Sequence, residues 1–207
     1  MTERPIIFSV EMVRAILEGR KTQTRRVVKT LLMPTAPGTD YCFHETKDGQ
    51  WEIGYDYLDG TGQFLRYIKC PYGRPGDRLW VRETFGHGCA DFRTTRNEIH
   101  YRADGIDHIG HRWQPSIHMP RWASRITLEI VKVRVERVQE ITDSDIRDEG
   151  TENCQYALPP YCTHCGGHEH LCNRDRFCDL WNSINAKRGY SWESNPWVWV
   201  VEFKRAQ

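Results

Sequence analysis

A group of five cationic residues with no acidic residue among them follows a predicted helix: Arg20, Lys21, Arg25, Arg26 and Lys29. Thr24 lies three residues after Lys21, so an amine and a hydroxyl could converge on one point there. The amine would lower the barrier to deprotonating the hydroxyl, or would orient a carbonyl. A solvated turn is the alternative interpretation, because charge blocks usually form exposed faces. The spacing predicts a surface turn after the helix, with or without nucleophilic chemistry.

A second cluster, of cysteine and histidine, predicts a metal site. Five of the eight cysteines fall within 154–178, together with three histidines. This density in one segment, without an export signal, favours metal over disulfides. The expected ligands of a closed, structural zinc are four thiolates, ahead of sets that use His168, His170 or Cys178: Cys154, Cys162, Cys165 and Cys172. Unmetallated thiols are the alternative. A catalytic deaminase zinc is excluded because its His-x-Glu and Pro-Cys-x2-Cys pairing is missing.

Length and composition restrict the class of protein. The chain of 207 residues has the length of one domain, and its 39% hydrophobic residues and 12% aromatic residues exclude a disordered chain. The longest apolar stretch, Trp197 to Val201, is far too short to cross a bilayer, and no signal peptide is visible, so we expect a cytoplasmic protein without membrane contact. The net charge of +1 makes only a local case for nucleic acid.

Apolar periodicity and turn residues place these clusters on predicted elements. The predicted elements are strands at 5–8, 79–83, 99–103, 126–138 and 197–203, a strand beginning at Val27, and helices over 12–17, between Thr142 and Gly150, and through 177–184. Residues 31–73 predict loops with one hairpin around 51–57. The alternation slips between Ile130 and Val131, which indicates a β-bulge like those of small closed barrels. Short strands interleaved with short helices predict an α+β fold built on a small, bent barrel.

Four segments of the chain resemble a known family. They are 16–26 around Lys21-Thr-Gln-Thr-Arg-Arg, the turn and strand 76–83, the acidic helix 141–150 and the last strand 197–203. Together they are similar to the ASCH family, a branch of the PUA-like superfamily, and especially to its prophage-encoded members. The resemblance implies a PUA-like bent β-barrel with short flanking helices. It also implies a single domain over 1–207, with additions at about 30–73, 86–120 and, rich in Cys and His, 151–172.

The resemblance also implies a cleft that accepts a nucleoside, a nucleotide or single-stranded RNA, without an organic cofactor. One branch of the family is an amidohydrolase that removes acetyl from N(4)-acetylcytidine with a Lys, a Thr and a Glu. The matching positions are Lys21, Thr24 and Glu149, with Asp148 as the alternative carboxylate. Thr24 would attack while Lys21 accepts its proton. Alternatively, Lys21 and Glu149 would activate a water while Thr24 positions the substrate.

Further residues are candidates for substrate binding. Arg25 and Arg26 could contact phosphate. Glu83 could hydrogen-bond a base edge or pair with one of these arginines, and a structural salt bridge is its alternative. Stacking of a base is expected for no more than one of three tryptophans, with the others in the core: Trp80, Trp113 and Trp122. A non-catalytic RNA-binding regulatory module and a ribonuclease remain the alternative functions.

Overall fold

The structure is a computed structural model, and it describes residues 1–29, 40–47, 50–56, 62–87, 99–105, 112–151, 157–158, 161–162 and 169–206. Within these ranges the chain has the predicted mixed α+β composition. The strands are β1 (Glu3–Ile7), β2 (Gln23–Val27), β3 (Asp40–Glu45), β4 (Trp51–Asp56), β5 (Gly62–Ile68), β6 (Arg78–Arg82), β7 (Phe85–His87), β8 (Ile99–Tyr101), β9 (Trp113–Gln114), β10 (Thr127–Arg137), β11 (Ala157–Leu158), β12 (Tyr161–Cys162) and β13 (Trp197–Arg205). The helices are α1 (Val10–Leu17), α2 (Asp143–Asp148) and α3 (Glu169–Asn185).

The central sheet has five strands in the order β1, β6, β10, β13, β2. Strands β1 and β6 are parallel, and the other neighbours are antiparallel. Because β1 and β2 are the two edges, the sheet is open among the described residues, whereas the strand pattern predicted a closed barrel. The predicted bulge is confirmed: the register of β10 against β13 shifts between Ile130 and Lys132, and Val131 is left exposed.

Helix α1 packs on this sheet with the face that the sequence predicts. Ser9 caps its start by accepting a hydrogen bond from the N–H of Met12 (3.3 Å), and Val13 and Ile16 are buried. The chain then leaves the helix through Gly19, whose φ of 75° is in the left-handed region. This turn delivers Lys21 to the end of the sheet.

The segment 40–68 differs from its prediction of loops with one hairpin. It forms a three-stranded antiparallel sheet in the order β3, β4, β5. Trp51 and Ile53 of β4 are buried in the main core, and the Trp51 ring packs edge-on against Trp199 of β13, with 5.8 Å between the ring centroids. The segment is rich in the turn residues Gly and Asp and its apolar residues follow no sustained period, so periodicity alone did not separate these strands from loops.

Helix α3 also extends further than predicted. It starts at Glu169, eight residues before the span 177–184 through which the sequence predicted it. Phe177 and Trp181, two of the predicted apolar residues, are buried in a second core cluster with Ile146 of α2 and Val198 and Val200 of β13. The last part of the presumed addition at 151–172 is therefore the first turn of a helix that packs on the domain.

The Pro-Gly turn before β6 is confirmed, and Asp77 holds it in place. The carboxylate of this buried residue accepts hydrogen bonds from the backbone N–H groups of Thr2 (2.7 Å) and Arg74 (3.3 Å), and Nη1 of Arg4 lies 3.4 Å away. Burial alone would raise the pKa of Asp77, but these hydrogen bonds and the charge of Arg4 lower it to about 2.

This pKa makes a prediction about acid stability. A carboxyl whose pKa is lower in the folded state stabilises the fold above its unfolded pKa of about 4, and the contribution is lost as the pH falls towards about 2. We expect Asp77→Asn to lower the free energy of unfolding at pH 7 by about 1 kcal/mol, and the difference from the wild type to vanish near pH 2. Urea titrations at several pH values measure this difference. If the difference in free energy of unfolding between the two proteins stayed constant with pH, this would contradict a lowered pKa for Asp77.

Candidate functional site

The centre of the basic segment is buried at an edge strand, while Arg20 and Lys29 at its ends are exposed, so the prediction of a solvated surface turn is wrong for its central residues. Lys21, Gln23, Thr24 and Arg25 are all at most 5% exposed. Strand β2 pairs with β13 on one side, where Thr24 lies opposite Val201. On its other side the N–H of Thr22 donates to the backbone oxygen of Asp148 (2.8 Å). A charge block normally indicates solvent, but here acidic side chains of neighbouring elements surround it.

Lys21 and Glu149 are in direct contact, although 128 positions separate them in the chain. The Lys21 Nζ lies 2.8 Å from Oε2 of Glu149 and donates to the Glu149 backbone oxygen at 2.7 Å. The side chain of Lys21 has no exposed surface, and that of Glu149 is 6% exposed. Burial lowers the pKa of the Lys21 amine, and the nearby Glu149 carboxylate partly offsets this effect.

Helix α2 sets the position of Glu149. Thr142 and Asp145 form a capping box: each side chain accepts a hydrogen bond from the backbone N–H of the other residue (3.2 Å and 3.0 Å). Glu149 then follows the last turn as its C-cap residue, with its N–H bonded to the Asp145 oxygen. Of the two carboxylates considered from the sequence, Glu149 is therefore the one in contact with Lys21, while Asp148 contributes its backbone oxygen to Thr22.

Gly150 allows the close approach of these two elements. Its φ of 74° is left-handed, and a Cβ atom at this position would lie 2.7 Å from the Cβ of Lys21 and 2.9 Å from the Cβ of Ala15. Both distances are shorter than van der Waals contact. Gly150 is thus required for its backbone conformation and for the space that Lys21 occupies.

Arg25 holds Glu149 from the other oxygen. Its Nη1 lies 3.3 Å from Oε1 of Glu149, and its Nη2 lies 3.1 Å from Glu136 and 3.3 Å from Asp145. Arg134 extends this network through ion pairs with Glu136, Asp145 and Glu202. A phosphate bound to Arg25, as expected from the sequence, would compete with the three carboxylates that Arg25 contacts, those of Glu136, Asp145 and Glu149.

Asp145 is the point where this network meets the capping box of α2. Burial alone would raise the pKa of Asp145, but hydrogen bonds from Thr142, the charge of Arg25 and a hydrogen bond from Gln23 hold it well below the usual range. Asp145 is therefore ionised at neutral pH, and it helps to balance the positive charge buried in β2.

A cavity of about 200 Å³ lies beside the Lys21–Glu149 pair. Thr24, Arg25, Arg26 and Glu149 line it from the strand side. The opposite wall comes from α3 and the chain after it, which contribute Leu180, Trp181, Ile184, Arg188 and Tyr190. These wall residues were not predicted from the sequence as site residues. The apolar spacing of 177–184 predicted the helix, but nothing local to that segment indicated which surface its face covers.

The cavity brings Thr24 and Glu149 together, and it also includes Arg26. The Nη2 of Arg26 donates to the backbone oxygen of Ile7 (2.7 Å), and its guanidinium lies over the Phe8 ring, 5.2 Å from the centroid. Among the residues that the structure describes, no partner accepts a hydrogen bond from the buried Nε of Arg26. A buried donor without a partner is costly, so a ligand that accepts from it would be favoured.

Other predicted substrate residues lie elsewhere in the structure. Glu83 is buried and forms a two-pronged ion pair with Arg125 (3.0 and 3.1 Å), so neither Arg25 nor Arg26 is its partner and the salt-bridge interpretation fits. Trp80 of β6 lies under the guanidinium groups of Arg82 and Arg121.

The two remaining tryptophan candidates also lie away from the cavity. Trp113 is on the short strand β9, and Trp122 is 71% exposed in a 3₁₀ turn. The tryptophan that lines the cavity is Trp181. Its position could not be foreseen, because it depends on how α3 packs against β2.

The predicted zinc ligands lie outside the described residues. This holds for Cys154 and Cys165 altogether, and for the side chains of Cys162 and Cys172. Within the described ranges, no group of three or more His, Cys, Asp or Glu side chains could hold a metal ion. The zinc site therefore stays a prediction.

A search of the described helices for a membrane-spanning segment finds none that is both long and apolar enough.

Comparisons with known proteins were made for the whole chain. No known protein family matches it, and no curated protein does. Among solved structures, the chain is similar to the ASCH domain from Lactobacillus crispatus JV V101, with 11% identity and a TM-score of 0.40. That match covers 99% of this chain and 79% of the other.

The close packing at Gly150 can be tested against a glycine with the same backbone conformation. Gly189 has a φ of 84°, and an added Cβ would meet nothing within 4 Å. Gly189→Ala should therefore cost only the left-handed strain of about 1 kcal/mol. Gly150→Ala should cost about 1–3 kcal/mol more, because the methyl group overlaps Lys21 and Ala15. Chemical denaturation of both variants measures the difference, and equal losses would contradict the close packing.

Proposed function

We propose that the protein is an amidohydrolase of ASCH type, with a PUA-like fold, that removes the acyl group from N(4)-acetylcytidine or a closely related nucleoside. The observation that carries this proposal is the buried contact between Lys21 Nζ and Glu149 Oε2, at 2.8 Å, beside a cavity that Thr24 also lines. A hydroxyl and a carboxylate at one cavity, with an amine bonded to that carboxylate from behind, are the groups that amide hydrolysis needs.

Glu149 is the member of the ion pair that meets the substrate, because it lines the cavity whereas the Lys21 side chain has no exposed surface. Lys21 and Arg25 each hold one oxygen of this carboxylate. The two cations fix the orientation of the Glu149 carboxylate, which can accept a proton from an attacking hydroxyl. The lowered pKa of Lys21 also makes transfer of a proton from Lys21 towards the substrate easier.

The hydrolysis proceeds in two steps, acylation of Thr24 and hydrolysis of the resulting ester. The Thr24 oxygen forms a bond to the acetyl carbon, and its proton passes to the Lys21–Glu149 pair. The C–N bond breaks as the pair returns the proton to the cytosine amine, which leaves acetyl on Thr24. Water then attacks this ester, releases acetate and restores the hydroxyl. Alternatively, the pair activates a water that attacks the amide directly, and Thr24 only positions the carbonyl.

The rest of the cavity supports a nucleoside or nucleotide as ligand. Tyr190, which is partly exposed, offers aromatic surface, and stacking of a base is worth about 1–3 kcal/mol. The unpartnered Nε of Arg26 can donate to a carbonyl or phosphate oxygen. Lys29 and Arg188, which also line the cavity, add positive charge that suits a phosphate on the substrate.

These same cations favour a second candidate function, a non-catalytic RNA-binding regulatory module. A binding module needs positive charge and a surface for base stacking, but it needs no proton transfer by Lys21 and Glu149. Their contact would then be a structural ion pair. Incubation of the purified protein with N(4)-acetylcytidine, followed by chromatography of cytidine, separates the two functions. Binding of RNA without formation of cytidine would favour the module.

The ion pair makes the first functional prediction. Lys21→Met and Glu149→Gln should each reduce the rate of cytidine formation by about 100-fold or more, because each removes one half of the proton-transfer pair. Lys21→Arg is a poorer test, since a larger side chain at a fully buried position strains the packing. Asp104→Asn, which removes a carboxylate from the separate ion pair with Arg125, is the matched control and should keep the rate. Thermal melting checks that each variant is folded.

Thr24 distinguishes the two mechanisms. If its oxygen attacks, Thr24→Val should lose activity by about 100-fold or more while Thr24→Ser keeps a measurable rate, since only serine retains a hydroxyl. Mass spectrometry of the wild-type protein quenched during turnover should then show one added acetyl group on the peptide that contains Thr24. A Thr24→Val rate close to that of the wild type would instead support attack by water.

A further inference from the structure

We propose that a second cavity, at the turn before β6, binds a phosphate group. This cavity has a volume of about 260 Å³. Arg4, Lys69, Gly73, Arg74 and Asp77 line it. The proposal does not depend on the hydrolysis described above, and a protein without that activity could still bind phosphate here.

The charge of the cavity is the first argument. Lys69 and Arg74 are exposed, and no acidic side chain in the described part of the chain forms an ion pair with either of them. The acidic residue of the cavity, Asp77, already accepts hydrogen bonds from two backbone N–H groups and faces Arg4. Three cations therefore surround one carboxylate that is internally satisfied, and an anion would balance the remaining charge.

The second argument is the position of Arg4. Its side chain is 40% exposed, and the contact with Asp77 at 3.4 Å is a single long one that involves only Nη1. A guanidinium has five N–H donors in a planar fork that matches the oxygens of a phosphate. Arg4 thus has donors for a ligand while Asp77 fixes its position.

The third argument is Gly73, which makes room for this guanidinium. Its φ is 123°, and a Cβ atom here would lie 2.7 Å from Nη1 of Arg4 and 3.0 Å from Oδ2 of Asp77. A side chain at this position would push the guanidinium of Arg4 away from its place beside Asp77. The turn is therefore shaped around a cation that it holds beside an open cavity, which distinguishes this site from a scatter of surface charges.

The neighbouring thiol does not oppose an anion. Cys70 lines the same cavity, and burial raises the pKa of its thiol to about 11. The thiol is therefore neutral at physiological pH and adds no negative charge. Tyr72, from the same turn, lines the cavity beside Glu149, so this one turn contributes to both cavities.

Phosphate can come from two sources, the free ion or the diester linkage of a nucleic acid. Isothermal titration of the purified protein with inorganic phosphate, and separately with the dinucleotide UpU, tests both. We expect saturable binding of at least one probe, weaker at higher ionic strength because the contacts are between charges. The probe that binds more tightly identifies the source.

Two variants locate the binding. The double variant Lys69→Ala/Arg74→Ala should weaken affinity for the bound probe by about tenfold or more, because it removes two of the three cations. The matched control, Arg147→Ala/Lys187→Ala, removes two exposed cations that lie outside this cavity and should change the affinity by less than about twofold. Gly73→Ala, which displaces Arg4 without changing the charge, should also weaken binding, and thermal melting reports whether it is folded.

Two results would overturn the proposal. One is the absence of saturable binding of both probes to the wild-type protein. The other is an equal loss of affinity in the control variant, which would assign the binding to overall charge. A loss confined to the cavity variants supports the proposal even if Gly73→Ala proves too unstable to measure.

Discussion

The buried ion pair between Lys21 and Glu149 is the interaction on which the arrangement of the site depends. Removing two charges from water is expensive, and loss of one partner of a buried pair commonly costs about 3–5 kcal/mol. The two oxygens of Glu149 are therefore held by Lys21 and Arg25 together. Because Lys21 lies two residues before the edge strand β2 and Glu149 is the C-cap residue of α2, this pair also fixes the helix to the sheet.

A network of charged side chains surrounds this pair. Lys21, Arg25 and Arg134 supply three positive charges, and four carboxylates face them: Glu136, Asp145, Glu149 and Glu202. Such a network is stable only when its members satisfy one another.

The sequence predicted local structure well and long-range position less well. The bulge of β10, the cap at Thr142 and the turn before β6 follow from neighbouring residues, and they were predicted. The burial of the basic segment was not, because it depends on acidic residues more than a hundred positions away. The contact of Lys21 with Glu149 was implied by the family resemblance. The cavity wall formed by α3 and the pairing of Glu83 with Arg125 were not predicted, because they depend on packing that no local pattern encodes.

The edge-on packing of Trp51 against Trp199 has a consequence for how the chain unfolds. Trp51 belongs to β4 of the three-stranded sheet and Trp199 to β13 of the five-stranded sheet, so the two sheets share one core. Elements that share a core open as a single cooperative unit. The three-stranded sheet β3–β5 is thus an integral part of the same folding unit as the five-stranded sheet.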